Sequence, residues 1–235
     1  GERLALIRDS NTRRMLIEEA NNPEKIHGGG SAMVDLSRLY LLDAENPDYR
    51  VGPEGTLEAK AAQAGVTPVE YFLAETDRSD GSVMLSLPIL NQDYEAIETM
   101  MADEAIVMGL ADAGAHVGQI MDSSQPTYFL SHWVRDTGFF TLEEGVRRIT
   151  SDTADLFGLV DRGRIVEGAY ADVNVIDFER LSLIGPEYVH DFPGGAGRYI
   201  QRGTGYDVTI VNGKVFMEDG EHTGELAGVT LRSTD

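Results

Sequence analysis

Apolar and polar positions follow two rhythms along this chain, and the change between them divides it. Up to about residue 160 the spacing is helical, broken by short apolar runs. Leu4, Leu6 and Ile7, then Met15, Leu16 and Ile17, mark an opening helical segment, and Arg13–Ala20 reads as helix stopped by Asn21-Asn22-Pro23. Thr56–Ala64 predicts a helix N-capped by Thr56 and ended by Gly65. Thr67 begins another, with Pro68 at its first position and Glu70 completing a capping box, running to about Thr76. Asp93–Ala102 places Tyr94, Ile97 and Met101 on one helical face. Gln125-Pro126 opens a helix over Thr127–Arg135, rich in packing aromatics, with His132 expected to be partly buried among them. Thr141 with Glu144 forms a second capping box for a helix to Ile149, and Ser151–Ala154 starts a short helix toward Gly158.

Between the helices lie three short apolar runs, Met33–Leu36, Val83–Leu87 and Ala105–Leu110, each predicted as a strand. Strands alternating with helices imply a parallel sheet covered by helices. After residue 160 the rhythm becomes strict alternation. Ala171–Asp177 and Tyr206–Asn212 read as half-buried strands, and Asn212-Gly213 is a type I′ hairpin signal leading into Lys214–Met217. The expected organisation is therefore an α/β part over residues 1–160 and a small β-structure of hairpins over 161–235.

Composition narrows the class. The chain has 235 residues, 42% of them hydrophobic, enough for a folded core. There is no cysteine, which rules out disulfides, thiolate zinc sites and a cysteine nucleophile, and fits a reducing, cytoplasmic setting. Nineteen basic residues against forty acidic ones give a formal charge of -21. That balance argues against nucleic acid and against anionic membrane surfaces, both of which need basic footprints. No apolar run approaches a membrane span. The sequence opens Gly1-Glu2-Arg3 inside a helical pattern, with no initiator Met and no signal-peptide pattern, and reads as starting mid-protein.

The candidate chemistry concentrates in Val107–Gly118, VMGLADAGAHVG, where an apolar run stops at Asp112 and a Gly114-containing turn leads to His116. A strand that delivers a carboxylate into a glycine loop is how α/β barrels mount a catalytic group at their C-terminal face. Asp is equally at home as a turn or cap residue, so that segment alone leaves both readings open. His27, beside Gly28-Gly29-Gly30, reads as a solvated loop histidine, because a phosphate cradle would need a preceding strand and a following Lys-Ser/Thr helix.

Three stretches, GLADAGAHVG, TLEEGVRRITSDTADLFGLVDRGRIVEGAYADVNVID and VTIVNGKVFMEDGEHTG, resemble the C-terminal part of the amidohydrolase superfamily, in its N-acyl-D-amino-acid deacylase branch. The order and spacing match from roughly Leu85 onward. Ala111 departs from the pattern, standing where the family commonly has a small hydroxyl residue. The resemblance implies the C-terminal part of a TIM-like (β/α)8 barrel followed by a small β-domain. It implies hydrolysis of N-acyl-D-amino acids with zinc, one or two ions, as cofactor. Asp112 matches the family's metal-site carboxylate, which takes a proton from the metal-bound water and returns it to the leaving nitrogen. His116 and Gly114 become candidates for substrate contact.

The family's His-x-His metal ligands have no counterpart here, and a whole barrel takes about 250 residues. The expected partners are therefore an N-terminal half of the same enzyme and a small amide substrate, and the reading admits a homo-oligomer. Alone, the chain is expected to be inactive. A cyclic-amide hydrolase of the hydantoinase or dihydroorotase kind and a non-catalytic scaffold subunit are the competing readings. An anionic substrate also needs local positive charge in this acidic chain, and Arg135 lies near the loop in sequence only.

Overall fold

The computed structural model describes residues 1–22, 38–43, 47–50, 52–119 and 123–232. The strand expected at Met33–Leu36, with His27 and its glycines, lies outside the described residues. The chain forms two compact units, Gly1–Ile97 and Glu98–Asp235.

In the first unit, α1 (Glu2–Arg8) passes to α2 (Ser10–Ala20) through Asp9, whose carboxylate accepts the Thr12 N–H at 2.8 Å as an N-cap. α3 (Leu57–Ala64) and α4 (Pro68–Arg78) follow the expected signals closely. The Thr56 hydroxyl caps α3, and Gly65 ends it in the left-handed conformation at φ 71°. The Thr67–Glu70 capping box of α4 is formed from both sides. Leu57 and Ala61 are completely buried, with Leu39 and Leu73 beside them in the unit's core. Arg8 closes the unit by ion pairs to Asp77 at 2.6 Å and Asp80 at 2.9 Å.

The sheet of this unit departs from expectation. β2 (Met84–Ser86) forms where Val83–Leu87 predicts it, but it pairs antiparallel with β1 (Tyr40–Leu42), a strand the hydrophobic pattern did not mark. Among the described residues every strand pairing is antiparallel, so the parallel sheet is not seen there. α5 (Tyr94–Ala102) begins where expected, with the Asp93 carboxylate accepting the N–H groups of Glu95 and Ala96.

The second unit is built on α6 (Gln125–Tyr128), which runs on into a π-helical stretch, Phe129–Asp136. The wider turn shows in the Thr137 N–H, which donates to the His132 carbonyl five residues back at 2.9 Å. Six consecutive residues, Phe129–Val134, are buried, as suits a helix surrounded by other chain on every side. His132 is buried among them, stacked near Tyr128 and Trp133 as a packing residue. α7 (Leu142–Ile149) carries its full Thr141–Glu144 capping box. α8 (Ser151–Leu156) starts one residue after Thr150, whose hydroxyl donates back to the Val146 carbonyl rather than capping the new helix.

The tail packs onto this helix. A four-stranded antiparallel sheet, in the order β10-β9-β8-β3, is made of β3 (Val173–Ile176), β8 (Tyr206–Val211), β9 (Lys214–Glu218) and β10 (Glu221–His222). Asn212 and Gly213, at φ 49° and 77°, make the expected type I′ turn. Two further pairs join β4 (Ser182–Leu183) to β7 (Gly203–Thr204) and β5 (Glu187–Val189) to β6 (Arg198–Ile200). Arg135 fixes the tail to the π-helix by donating to the carbonyls of Phe178 and Leu181, and the Thr127 and Tyr206 hydroxyls meet at 2.7 Å. Leu181 is completely buried at that junction.

Candidate active site

The candidate residues sit on the segment that joins α5 to α6. The Asp103 carboxylate accepts the Ala105 N–H at 2.9 Å and closes off α5. The chain then runs through Ile106–Leu110 without pairing to any strand among the described residues, so the strand expected at Ala105–Leu110 is not formed. A β conformation is held by a neighbour that exchanges N–H and C=O bonds with it. Here none is present among the described residues, and Leu110 is 92% exposed.

At Asp112 the backbone turns left-handed, with φ 52° at Asp112, 91° at Gly114 and 46° at His116. Asp and His tolerate that region better than most side chains, yet each such residue still costs about 1 kcal/mol or more. Gly114 needs its lack of a Cβ for the same reason, although the space around it is open. Two turns follow one another: the Ala115 N–H donates to the Asp112 carbonyl at 3.3 Å, and the Gln119 N–H to the His116 carbonyl at 2.7 Å. The loop is pinned from outside by the Tyr199 N–H, which donates to the Val117 carbonyl at 2.9 Å.

Asp112, Gly114 and His116 are therefore brought onto one short loop, all three exposed. The Asp112 side chain is exposed to solvent, and its carboxylate has no hydrogen-bond partner among the described residues. The left-handed Asp112 is the kind of backbone cost that folded chains tend to carry at working sites. No group of three His, Cys, Asp or Glu side chains suited to a metal ion occurs among the described residues. The described residues therefore frame no metal site around Asp112. Arg135 is committed elsewhere, to Asp136 at 2.9 Å and to the carbonyls it ties down.

Charge in the second unit is organised as paired groups. Arg198, in β6, donates to both Asp191 oxygens from Nε and Nη2 at 2.8 and 2.7 Å and holds that carboxyl below the usual range. Arg164 donates to both Asp155 oxygens, and the Arg180 side chain to one oxygen of Asp177, and each carboxyl is lowered in the same way. The loop's link to β6 joins residues more than eighty positions apart, and no periodicity or motif in the sequence announces it.

The profile of the Amidohydrolase family matches residues 55–217. That range starts upstream of Leu85 and takes in the Asp112 loop, α6 to α8 and the sheet through β9. D-aminoacylase of Alcaligenes xylosoxydans xylosoxydans is 32% identical over 105 residues, covering 45% of this chain and 20% of its own length. Dihydroorotase of Bacillus cereus (strain AH820) is 28% identical over 140 residues, covering 52% of this chain and 32% of its own. Among solved structures, one of D-aminoacylase described for the functional role of its binuclear metal centre shows 24% identity and a TM-score of 0.45, covering 81% of this chain and 37% of that one. The chain thus spans between 20% and 37% of the length of these relatives. The family profile covers well over half of the chain, and on that ground the chain belongs to the amidohydrolase family.

Proposed function

We propose that this chain supplies the proton-handling carboxylate and the C-terminal β-structure of a metal-dependent amide hydrolase that deacylates N-acyl-D-amino acids. The observation that carries the reading is Asp112, exposed and left-handed on a pinned loop, inside the residues matched by the family profile. The 32% identity to D-aminoacylase supports the substrate class.

Hydrolysis of an amide needs a base to deprotonate water as it adds to the carbonyl carbon, and an acid to protonate nitrogen as the C–N bond breaks. One carboxylate does both in turn, provided that it is ionised at the start and can reach both atoms. Asp112 is free to do so because no neighbour among the described residues occupies its oxygens. A metal ion, when bound, supplies a Lewis acid and a more acidic water. The described residues gather no ligand trio, and the reading takes the remaining ligands from an N-terminal half of the same enzyme. His116 and Gly114 border the same loop and contact the substrate, the histidine through a ring nitrogen and the glycine by leaving room. The barrel part ends near residue 160 and the β-domain follows from 161, in the cytoplasm.

In the complete enzyme, Asp112→Asn should lower turnover of an N-acetyl-D-amino acid by about 10²–10⁴-fold. An undiminished rate would remove Asp112 from the reaction. The similarity to dihydroorotase favours a second reading, a cyclic amide as substrate. Hydrolysis of dihydroorotate or a hydantoin, with none of the N-acetyl-D-amino acid, would replace the first reading by the second.

A further inference from the structure

The β5–β6 hairpin is better organised than a surface connection requires. Tyr188 and Tyr199 stand directly opposite one another across the two strands, their rings 4.9 Å apart. Tyr188 also stacks edge-on to His190, whose Nδ1 meets the Gly195 carbonyl at 3.0 Å. The Arg198–Asp191 pair bridges the hairpin's end, with the guanidinium over the Phe192 ring. Gly197 presents a bare face to Tyr188, where a Cβ would come within 2.3 Å of the ring. The backbone N–H of Tyr199 carries this order outward, to the loop of Asp112.

In an antiparallel pair, alternate residues turn their N–H and C=O groups away from the partner strand. Tyr199 is such a residue: its N–H leaves the hairpin and donates to the Val117 carbonyl, five residues beyond Asp112. The bond is therefore spare to the hairpin's own ladder. Its effect falls on the loop, whose own two turns span four residues each and fix nothing to the rest of the unit.

We infer that the β5–β6 hairpin is the positioning element of the Asp112 loop, acting through the Tyr199 N–H, and that Tyr199 is a positioning residue for the proposed hydrolysis. The inference rests on the reading of Asp112 given above. A carboxylate on a loop that opens and closes spends part of its time out of reach of the reacting atoms. A misplacement of about 1 Å in such a group can cost about 10²-fold in rate.

Two substitutions separate the backbone bond from the ring. Tyr199→Pro deletes the N–H and removes nothing from the hairpin ladder, since proline is accepted where the N–H faces away from the partner strand. Tyr199→Ala keeps the N–H and loses only the ring. Amide hydrogen exchange on this chain is expected to be about tenfold faster over residues 112–119 in Tyr199→Pro than in Tyr199→Ala, with the β8–β9 peptides unchanged as the folding control. Equal exchange of the loop in the two variants would overturn the inference.

If Tyr199→Pro does not fold, Gly197→Ala takes its place. It drives Tyr188 off its seat without a left-handed backbone to strain, and should speed exchange in 187–200 and 112–119 together. Loosening of the hairpin alone would refute the coupling. In the complete enzyme, Tyr199→Pro should lower kcat for an N-acetyl-D-amino acid at least about tenfold relative to Tyr199→Ala, with KM within about twofold. Equal kcat in the two variants counts against the inference. Full activity of Asp112→Asn would instead sink the reading of Asp112, and the exchange result would still decide whether the hairpin holds the loop.

Discussion

Two segments of similar length, the apolar run Ala105–Leu110 and the alternating Tyr206–Asn212, both read as strands, and only the second forms one, over Tyr206–Val211. The difference lies in where each finds its partner. Tyr206–Val211 meets β9 across a two-residue turn that Asn212 and Gly213 make with positive φ at both positions, so its ladder is specified within a dozen residues. A parallel strand must find its neighbours through crossovers, and none stands beside Ala105–Leu110 among the described residues. The hairpin is a self-contained structural unit. Among the described residues the Asp112 segment is held by one distant hydrogen bond, and the role proposed for it is chemical.

The sharpest way to break that contrast is a pair of substitutions that exchange their effects. Asp112→Asn, exposed and unpartnered, should leave the melting temperature of the chain within about 1 °C while removing most activity of the complete enzyme. A melting temperature lowered by several degrees would mean that Asp112 belongs to the framework after all.

The opposite result is expected at Gly205, where β8 begins. At φ 86° its Cβ position lies 2.7 Å from the backbone of Leu181, a buried residue at the junction with the π-helix. Backbone cannot step aside as a flexible side chain can. Gly205→Ala should cost about 2–4 kcal/mol from left-handed strain and overpacking together. Thermal unfolding reads this as a drop of about 2–4 °C per kcal/mol in a chain of this size. An unchanged melting curve would show that the tail and the helix are less tightly joined than the contact implies.

Gly213→Ala tests the local specification itself. It leaves open space around the new methyl, so only the positive φ of 77° is charged, about 1 kcal/mol. The effect should appear as faster amide exchange of β8 and β9 while the loop of Asp112 is unaffected. Simultaneous loosening of both would deny the separation drawn here.

What the sequence showed and what it hid divide along the same line. Thr56, Thr67–Glu70, Thr141–Glu144 and Asn212-Gly213 declared their elements because a cap or a turn is settled by residues within four positions. Asp219-Gly220 carries the same turn signal between β9 and β10, at φ 49° and 82°, and was legible though unused. β1 at Tyr40–Leu42, the π-helical turn at Phe129–Asp136 and the antiparallel sense of β1–β2 were not legible, because each depends on what packs against it. At the site, Asp112, Gly114 and His116 stood out as a motif. Their left-handed backbone and the hold of Tyr199 on Val117 left no trace in spacing or composition.

The smallest effect concerns the ion pairs that tie the second unit together, and its sign follows from proton linkage. Asp177 lies below the usual carboxylate range, chiefly because the Arg180 side chain hydrogen-bonds it, with the Arg180 backbone N–H adding to the effect. Arg180 also reaches Asp207 at 2.7 Å, so the pair clips the start of β8 to the turn before β4. A carboxyl whose pKa is depressed by folding contributes stability that is complete above its unfolded value, about 3.9 for Asp, and is lost as pH falls through the folded value. Melting temperature should thus be insensitive to this pair between about pH 7 and pH 5 and decline below about pH 4. Asp177→Asn should make that decline shallower, and added salt should blunt the difference because the groups are exposed. A wild-type and a variant curve that run parallel through the acid limb would show that Arg180 holds its place through Asp207 and the chain around it, with no help from the Asp177 charge.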